Sequence, residues 1–470
     1  MATETDALLG NAHYSPRSVE ETGDETISNE TGLDSAETEL YSLQSKPRTT
    51  TTGTQSLMHL LKGNIGTGIL AMPAALSYSG IWVGFVLIPI LGLVATHCMH
   101  LLINAARKLK DPDGENLGYS RVVEEAFRQG PVKFQRFARA IKLIVDTFLC
   151  ITQFGFCIVY ILFISRTLEI VVKAYHPDIS INIRVYEILV TLVLIPYTFI
   201  GGLRNLSYFS TIANVSTMAG LIGVLVYSTY DLPDVSDYPA FESWSTLPLF
   251  FGLAIYAFEG IGLVMPIENK MKYKHRFNAW NGVLNTGMFI VTALYTAVGF
   301  FGFLKVGKKV KGSITLNLPS NQWQYNCIQI LIALAIFLSY GLQFLVPINI
   351  IWPYFRKKLE KRNYSRLKLR WCRYLFKTIV VLSTFVAAAV LPQLNLLISL
   401  IGAFSSSSIA LIFPPIVDCI VNWPNDLGYF RWKLIKNILI IAFGLFGFAV
   451  GTATTLEEIV KAFQSGHIYD

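Results

Sequence analysis

The sequence predicts an all-α polytopic membrane protein of about eleven transmembrane helices, and three observations predict it. Of 470 residues, 53% are hydrophobic and only 15% are charged, whereas a soluble domain carries about a quarter charged residues. The mean hydropathy is +0.47, and the apolar residues are gathered into long runs, as a bilayer requires. The basic residues lie in the loops between those runs, which is a topology signal and a source of affinity for anionic lipid. It is not a nucleic-acid footprint.

Taken in order, the chain opens on a polar tail. Residues 1–50 hold ten acidic and three basic side chains, a balance of −7. Such a segment cannot bury a core, and residues 1–52 are expected to be a disordered cytosolic tail. Within it, Glu4-Thr5-Asp6-Ala7-Leu8-Leu9 places an acid four positions before a Leu-Leu pair. Glu4, Leu8 and Leu9 therefore read as a dileucine signal for sorting adaptors, pointing to lysosomal or late endosomal membranes, with the plasma membrane kept open. The other reading is two ordinary leucines in a polar segment. The acidic tail is also a candidate contact for nutrient-signalling proteins. The first apolar run begins near residue 56, too late for a cleaved signal peptide.

Helices are expected at about 56–77, 81–106, 138–165, 184–200, 209–230, 246–267, 280–303, 327–355, 375–391, 394–419 and 435–460. Each is long enough for roughly 30 Å of hydrocarbon at about 1.5 Å per residue, the fourth only just. Lys and Arg crowd the loops after helices 2, 6 and 8, while segment 231–245 has four acids and no Lys or Arg. This predicts a cytosolic N-terminus and a luminal or extracellular C-terminus. Lys305, Lys308, Lys309 and Lys311 disagree, falling on the outer side. The sequons at Asn29, Asn205, Asn214 and Asn363 then lie in the cytosol or membrane, and none is expected to carry a glycan. The six cysteines show neither a disulfide framework nor metal-ligand spacing.

Two helices carry the chemistry. The first contains Gly63-Asn64-Ile65-Gly66-Thr67-Gly68, and each glycine costs a helix up to about 1 kcal/mol relative to Ala. An unwound stretch lining a cavity fits this content; close helix packing on small residues is the alternative. The sixth contains Tyr256-Ala257-Phe258-Glu259-Gly260-Ile261-Gly262, with Pro266 beyond. A carboxylate at mid-span is costly and usually faces a cavity. Paired interruptions in corresponding places of two halves point to a binding site between inverted repeats.

These runs resemble the proton-coupled amino acid transporters of the amino acid/auxin permease superfamily. The resemblance is carried by Leu57 to Leu70, Thr152 to Cys157 with Tyr160, Phe258 to Gly262, Pro266 to Met271, Gly312 to Pro319 and Ser405 to Ser408. It is colinear over about residues 55–460. It implies a LeuT-like 5+5 inverted repeat, with repeat one at about 55–230, repeat two at about 245–420, an extra helix at about 435–460, and a short tail at 463–470. It implies proton-driven symport of small neutral amino acids (alanine, proline, glycine type) by alternating access, with the proton as coupling ion and no other cofactor. The loop between helices 3 and 4 lacks cysteine, so the family's external disulfide is not expected here.

The implied site comprises Gly63, Asn64, Ile65, Gly66, Thr67, Gly68, Tyr160, Tyr256, Phe258, Glu259 and Gly260. Backbone around Gly63 to Gly68 would take the substrate carboxylate, and carbonyls near Phe258 to Gly260 its ammonium. His59 and Glu259 would relay the proton. An imidazole titrates near pH 6.5 when unperturbed, which suits the role; both residues also have structural readings as satisfied polar groups. Asp146 is a further intramembrane acid, and Lys142, one turn away, is its expected partner. Tyr340 is a candidate pocket wall, and Asn214 and Ser405 to Ser408 either touch substrate or join helices. His97 and His100 read as structural. A sodium-coupled symporter and an amino acid sensor with little flux remain open. An enzyme is not indicated, because no nucleophile–base pair or metal box is found.

Overall fold

Thr52 and Gln55 start the first helix with a reciprocal cap. The Thr52 hydroxyl accepts from the Gln55 N–H, and the Gln55 amide oxygen accepts from the Thr52 N–H. In this computed structural model the described residues are 50–109, 117–178, 181–200, 203–362, 364–391, 393–424 and 426–465. Glu4, Leu8, Leu9, Asn29, Asn363 and the last five residues lie outside them.

Among the described residues there is no β-strand, and nine helices are long and apolar enough to cross a membrane. Two further runs complete the eleven that the sequence predicts. Span 1 is interrupted, as Gly53–Asn64, Thr67–Leu70 and Met72–Ser79. Span 4, Ile183–Phe199, is 17 residues long, the shortest unbroken one. The others are span 2 (Ile81–Lys108), span 3 (Ala138–Tyr175), span 5 (Leu203–Thr229), span 7 (Val283–Val306), span 8 (Trp323–Glu360), span 9 (Arg366–Val390) and span 11 (Trp432–Ser465). Span 6 is broken into Leu247–Ala257 and Ile261–Lys270. Span 10 runs from Leu394 to Asn422 and carries two π-helical stretches, Gly402–Ser406 and Ser408–Ile412.

Several elements outrun their predicted ends. Span 3 was expected to stop near 165 and continues to Tyr175. Glu169 pairs with Arg166 at 3.2 Å and Lys173 at 2.8 Å, so the helix leaves the apolar zone on i,i+3 and i,i+4 ion pairs. The loop after span 2 contains an unpredicted amphipathic helix, Tyr119–Gln129. Its Val122, Val123, Ala126 and Phe127 are buried, and the Tyr119 hydroxyl donates to the Ile409 carbonyl of span 10 at 2.8 Å.

This helix also corrects one sequence pairing. Lys142 reaches Glu124 at 2.8 Å and not Asp146, because a neighbouring helix offers a carboxylate that sequence spacing does not reveal. Two of the four outer lysines also find an explanation. Lys305 donates to the carbonyls of Tyr230 and Asp231 at 2.8 and 2.9 Å, and Lys308 pairs with Glu242 at 2.6 Å. These cations are matched to the acidic segment on their own face.

That segment also caps spans 1 and 2. The N–H groups of Ile81 and Val83 donate to Pro239 and Ala240, and that of Glu242 to Ser79. Gly80 permits this, with φ +85° and space for no Cβ: one would meet Phe241 Cα at 2.7 Å.

Candidate functional site

The two broken helices cross at their breaks, and glycines set how closely. A Cβ on Gly63 would meet Leu263 at 2.3 Å, one on Gly68 would meet Ala257 Cα at 2.5 Å, and one on Gly260 would meet Asn64 Oδ1 at 2.3 Å. Three of the predicted site glycines are therefore packing glycines. Gly66 differs, because a Cβ there would meet only the Tyr160 hydroxyl, at 3.7 Å. The two sequence readings, interruption and close packing, both hold, at different residues.

The interruptions have local causes. Ile65 leaves the helix with ψ 94°, and Gly66 is extended at φ −140°. In span 6 the last full helical residue is Ala257; Gly260 N–H bonds back to Phe258 O at 2.8 Å before the helix resumes at Ile261.

Tyr295 of span 7, which the sequence analysis did not single out, joins the two ends. Its fully buried hydroxyl lies 2.5 Å from Asn64 O and 2.8 Å from Ala257 O. These are the last carbonyls of the two half-helices, where each helix dipole is negative. One phenol has one proton, so it serves the two acceptors by turns or shares it between them. Its only sequence signal is a polar-tipped aromatic in an apolar run, shared with many packing tyrosines.

A cavity of about 530 Å³ lies on the N-terminal side of the crossing. It extends from Ile69 and Leu70 beside the break to Thr51 and Lys270 at the membrane face where the first helix begins. Spans 1, 3, 5, 6 and 8 form its walls, which are largely aliphatic. Of the predicted residues, His59, Gly63, Ile65, Gly66 and Tyr160 line it. Gln343 also lines it, with its amide 3.5 Å from the Tyr160 hydroxyl. Its charged lining groups among the described residues are Lys62 and Lys270, with His59 beside them. The mouth of the cavity is therefore basic.

The other predicted residues sit behind this wall. Thr67 and Tyr256 join hydroxyls at 2.9 Å, and the Tyr256 ring packs edge-on against Phe156. Phe258 packs on Tyr295. Asn64 donates to Leu60 O at 2.9 Å, and its Oδ1 is buried without a hydrogen-bond partner among the described residues.

Glu259 is buried at the second break but does not line the cavity. Its neighbours are Ser406 of span 10 and Tyr119. Glu259 Oε2 and Ser406 Oγ are both buried without a well-formed partner. His59 faces Lys62 and Lys270 instead, so the two expected relay groups occupy different surroundings.

The remaining candidates resolve by contact. Tyr340 bonds Thr384 of span 9 at 3.2 Å and is no cavity wall. Ser405, Ser407 and Ser408 donate to carbonyls four residues back, consistent with the local π-helix. Asn214 lies off the cavity, although Thr217 and Leu221 of the same helix line it. His100 bonds Asn285 at 2.7 Å. Among the described residues no group of His, Cys, Asp and Glu is arranged to hold a metal.

Comparison with known proteins agrees with this architecture. Residues 49–457 match the family described as "Transmembrane amino acid transporter protein". The chain is 35% identical over 429 residues to the "Proton-coupled amino acid transporter-like protein pathetic" of Drosophila melanogaster, covering 90% of this chain and 88% of that one. It is 28% identical over 422 residues to the "Probable amino acid transporter skat-1" of Caenorhabditis elegans, covering 88% and 91%. Relatives and family alike are transporters and not enzymes. A polytopic helical chain matched along nearly its whole length in this way belongs to the family of transmembrane amino acid transporter proteins.

Proposed function

We propose that the protein carries small neutral amino acids together with protons, by alternating access across a lysosomal, late endosomal or plasma membrane. One observation carries the reading. The break of span 1 opens at the head of a cavity that extends to one membrane face, the break of span 6 packs against it from behind, and segment 231–246 covers the opposite end of span 1. This is the arrangement in which irregular backbone at membrane depth serves a ligand.

The chain divides into two repeats at about 55–230 and 245–420, with span 11 added. The backbone of Gly63 to Gly68 takes the carboxylate, and the carbonyls near Phe258 to Gly260 take the ammonium. A basic mouth disfavours lysine- and arginine-like substrates. With the N-terminus cytosolic, the cavity faces the cytosol and the conformation is inward-facing. Proton coupling draws support from the name of the Drosophila relative, and from Glu259, which is buried with no cation among its described neighbours. Sodium coupling is less favoured, since the two helix-end carbonyls that a cation would seek are met by the Tyr295 hydroxyl.

The test is uptake of radiolabelled alanine, proline and glycine into proteoliposomes under an imposed pH gradient or an imposed sodium gradient. Uptake that follows the pH gradient and collapses with a protonophore is the expected result. Uptake driven by sodium alone refutes proton coupling. Binding without flux under either gradient moves the protein to the sensor class.

A further inference from the structure

A second cavity, of about 410 Å³, lies away from the transport site, in a groove between spans 2 and 11. Both helices pack on the C-terminal part of span 10, which forms the floor. Arg107 and Lys108 end span 2, and Lys433 and Lys436 begin span 11. These four cations line the groove against one acid, Asp418.

Three of the cations are engaged. Arg107 holds Glu268 at 3.1 Å. Lys108 and Lys433 grip the two oxygens of Asp426, each at 2.6 Å, so their ammonium groups already converge on one oxyanion at the rim. Asp418 is also engaged, accepting from Asn422 at 2.8 Å and Asn437 at 2.7 Å. Its charge orders the floor.

Two donors remain over. Lys436 lies near Asp418 and stands 5.3 Å from the Trp432 ring centroid, but it donates no hydrogen bond among the described residues. His97, whose neighbours include Lys436, has its Nε2 buried without a partner. An ammonium and an imidazole facing one basic groove form a receptor for an anion that the chain itself does not supply.

Position identifies the anion. The groove lies at the face where spans 2 and 11 reach the interface, marked by exposed Trp432. Towards the membrane centre, Leu93 stands one helical turn from His97 on span 2 and Leu439 one turn from Lys436 on span 11, and both are exposed. A ligand with a phosphate at the basic end and acyl chains along these leucines matches both parts, and basic pockets between membrane helices hold such headgroups.

We propose that the groove between spans 2 and 11 binds the phosphate headgroup of an anionic phospholipid, with Lys436 and His97 as its donors and Lys433 adding positive charge at the rim. This site is separate from the amino acid site, and its test reads lipid binding and not flux.

The experiment reconstitutes the full-length protein in nanodiscs of phosphatidylcholine alone, or with added phosphatidylserine or phosphatidylinositol phosphate. Bound lipid is counted by native mass spectrometry, and thermal stability is followed in parallel. Retention of anionic lipid over phosphatidylcholine is expected. Lys436→Gln and Lys433→Gln should each weaken it about five-fold, the effect of about one surface-proximal charge. Lys368→Gln, at the exposed start of span 9, should leave the specific site intact and serves as control. Equal retention of neutral and anionic lipid overturns the proposal, as does undiminished anionic binding in a folded Lys436→Gln variant. A stabilisation reproduced in full by inorganic phosphate overturns the lipid assignment in favour of a soluble phosphate compound.

Discussion

The interruptions of spans 1 and 6 are built from similar residues and face different surroundings. At the first, Gly66 opens the backbone to the cavity, with only the Tyr160 hydroxyl near. At the second, Glu259 turns towards Ser406 of span 10, away from the cavity wall. One break meets the compartment where a solute enters, and the other meets the packed π-helical segment of a neighbouring helix. The difference teaches that an unwound stretch does not by itself define a ligand site. What the freed backbone and its flanking side chains face decides its use.

Tyr295 is the place to break the comparison most severely, since it holds both ends at once. Tyr295→Phe removes the proton shared by two buried carbonyls. A bare buried polar group costs about 1–3 kcal/mol, so uptake should fall about tenfold or more. The variant should also melt earlier in detergent. Wild-type uptake and melting would show that the two breaks are held independently.

The next effect separates the two sides chemically. Glu259→Gln should abolish uptake driven by a pH gradient while amino acid exchange at equal pH persists. His59→Ala, at the cavity mouth, should alter the pH dependence of uptake and retain some gradient-driven flux. Equal behaviour of the two variants would mean that they act as one relay despite their separate surroundings.

A smaller effect tests the two kinds of glycine within one helix. In Gly68→Ala the new methyl meets the Ala257 backbone, and such overpacking costs about 1–3 kcal/mol. Stability should fall. In Gly66→Ala the methyl enters open space beside Tyr160, so melting should hold while KM rises. The reverse pattern would move the substrate contact from Gly66 to Gly68.

The smallest effect lies outside the membrane, at Asp426. Hydrogen bonds from Lys108 and Lys433 hold its carboxyl down from 3.8 to about 2. A depressed carboxyl contributes its tether above its unfolded value and loses it as pH falls through the folded one. Proteolysis of the loop between spans 10 and 11 should therefore stay constant down to about pH 3.8 and rise only as pH falls towards about 2. The site is exposed and salt-screened, so the change should be small. Loosening at mildly acidic pH would assign the tether to another group.

Much of the architecture was legible because the bilayer imposes it. A span needs a long apolar run, and a mid-membrane glycine cluster or carboxylate is costly enough to announce itself. Both breaks, at Ile65-Gly66 and at Phe258 to Gly260, fall inside the runs that the sequence singled out. Pairings between distant elements were not legible. Lys142 has Asp146 one turn away and takes Glu124 on another helix. Tyr340 has the character of a pocket wall and turns to span 9. The helix Tyr119–Gln129 was hidden because its four buried apolar residues sit among charges in a basic loop.

The sequence by itself determined the number of spans, the places where two of them unwind, and the family. Each follows from one-dimensional quantities: run length, residue type at membrane depth, and the order of motifs. The tertiary structure decided which glycines pack and which opens to the cavity, that Tyr295 ties the two half-helices together, and that Glu259 stands apart from His59. Those outcomes depend on which helices become neighbours. Hydrogen bonds and van der Waals contacts act over a few ångströms between residues far apart in the chain, and no local pattern encodes that distance.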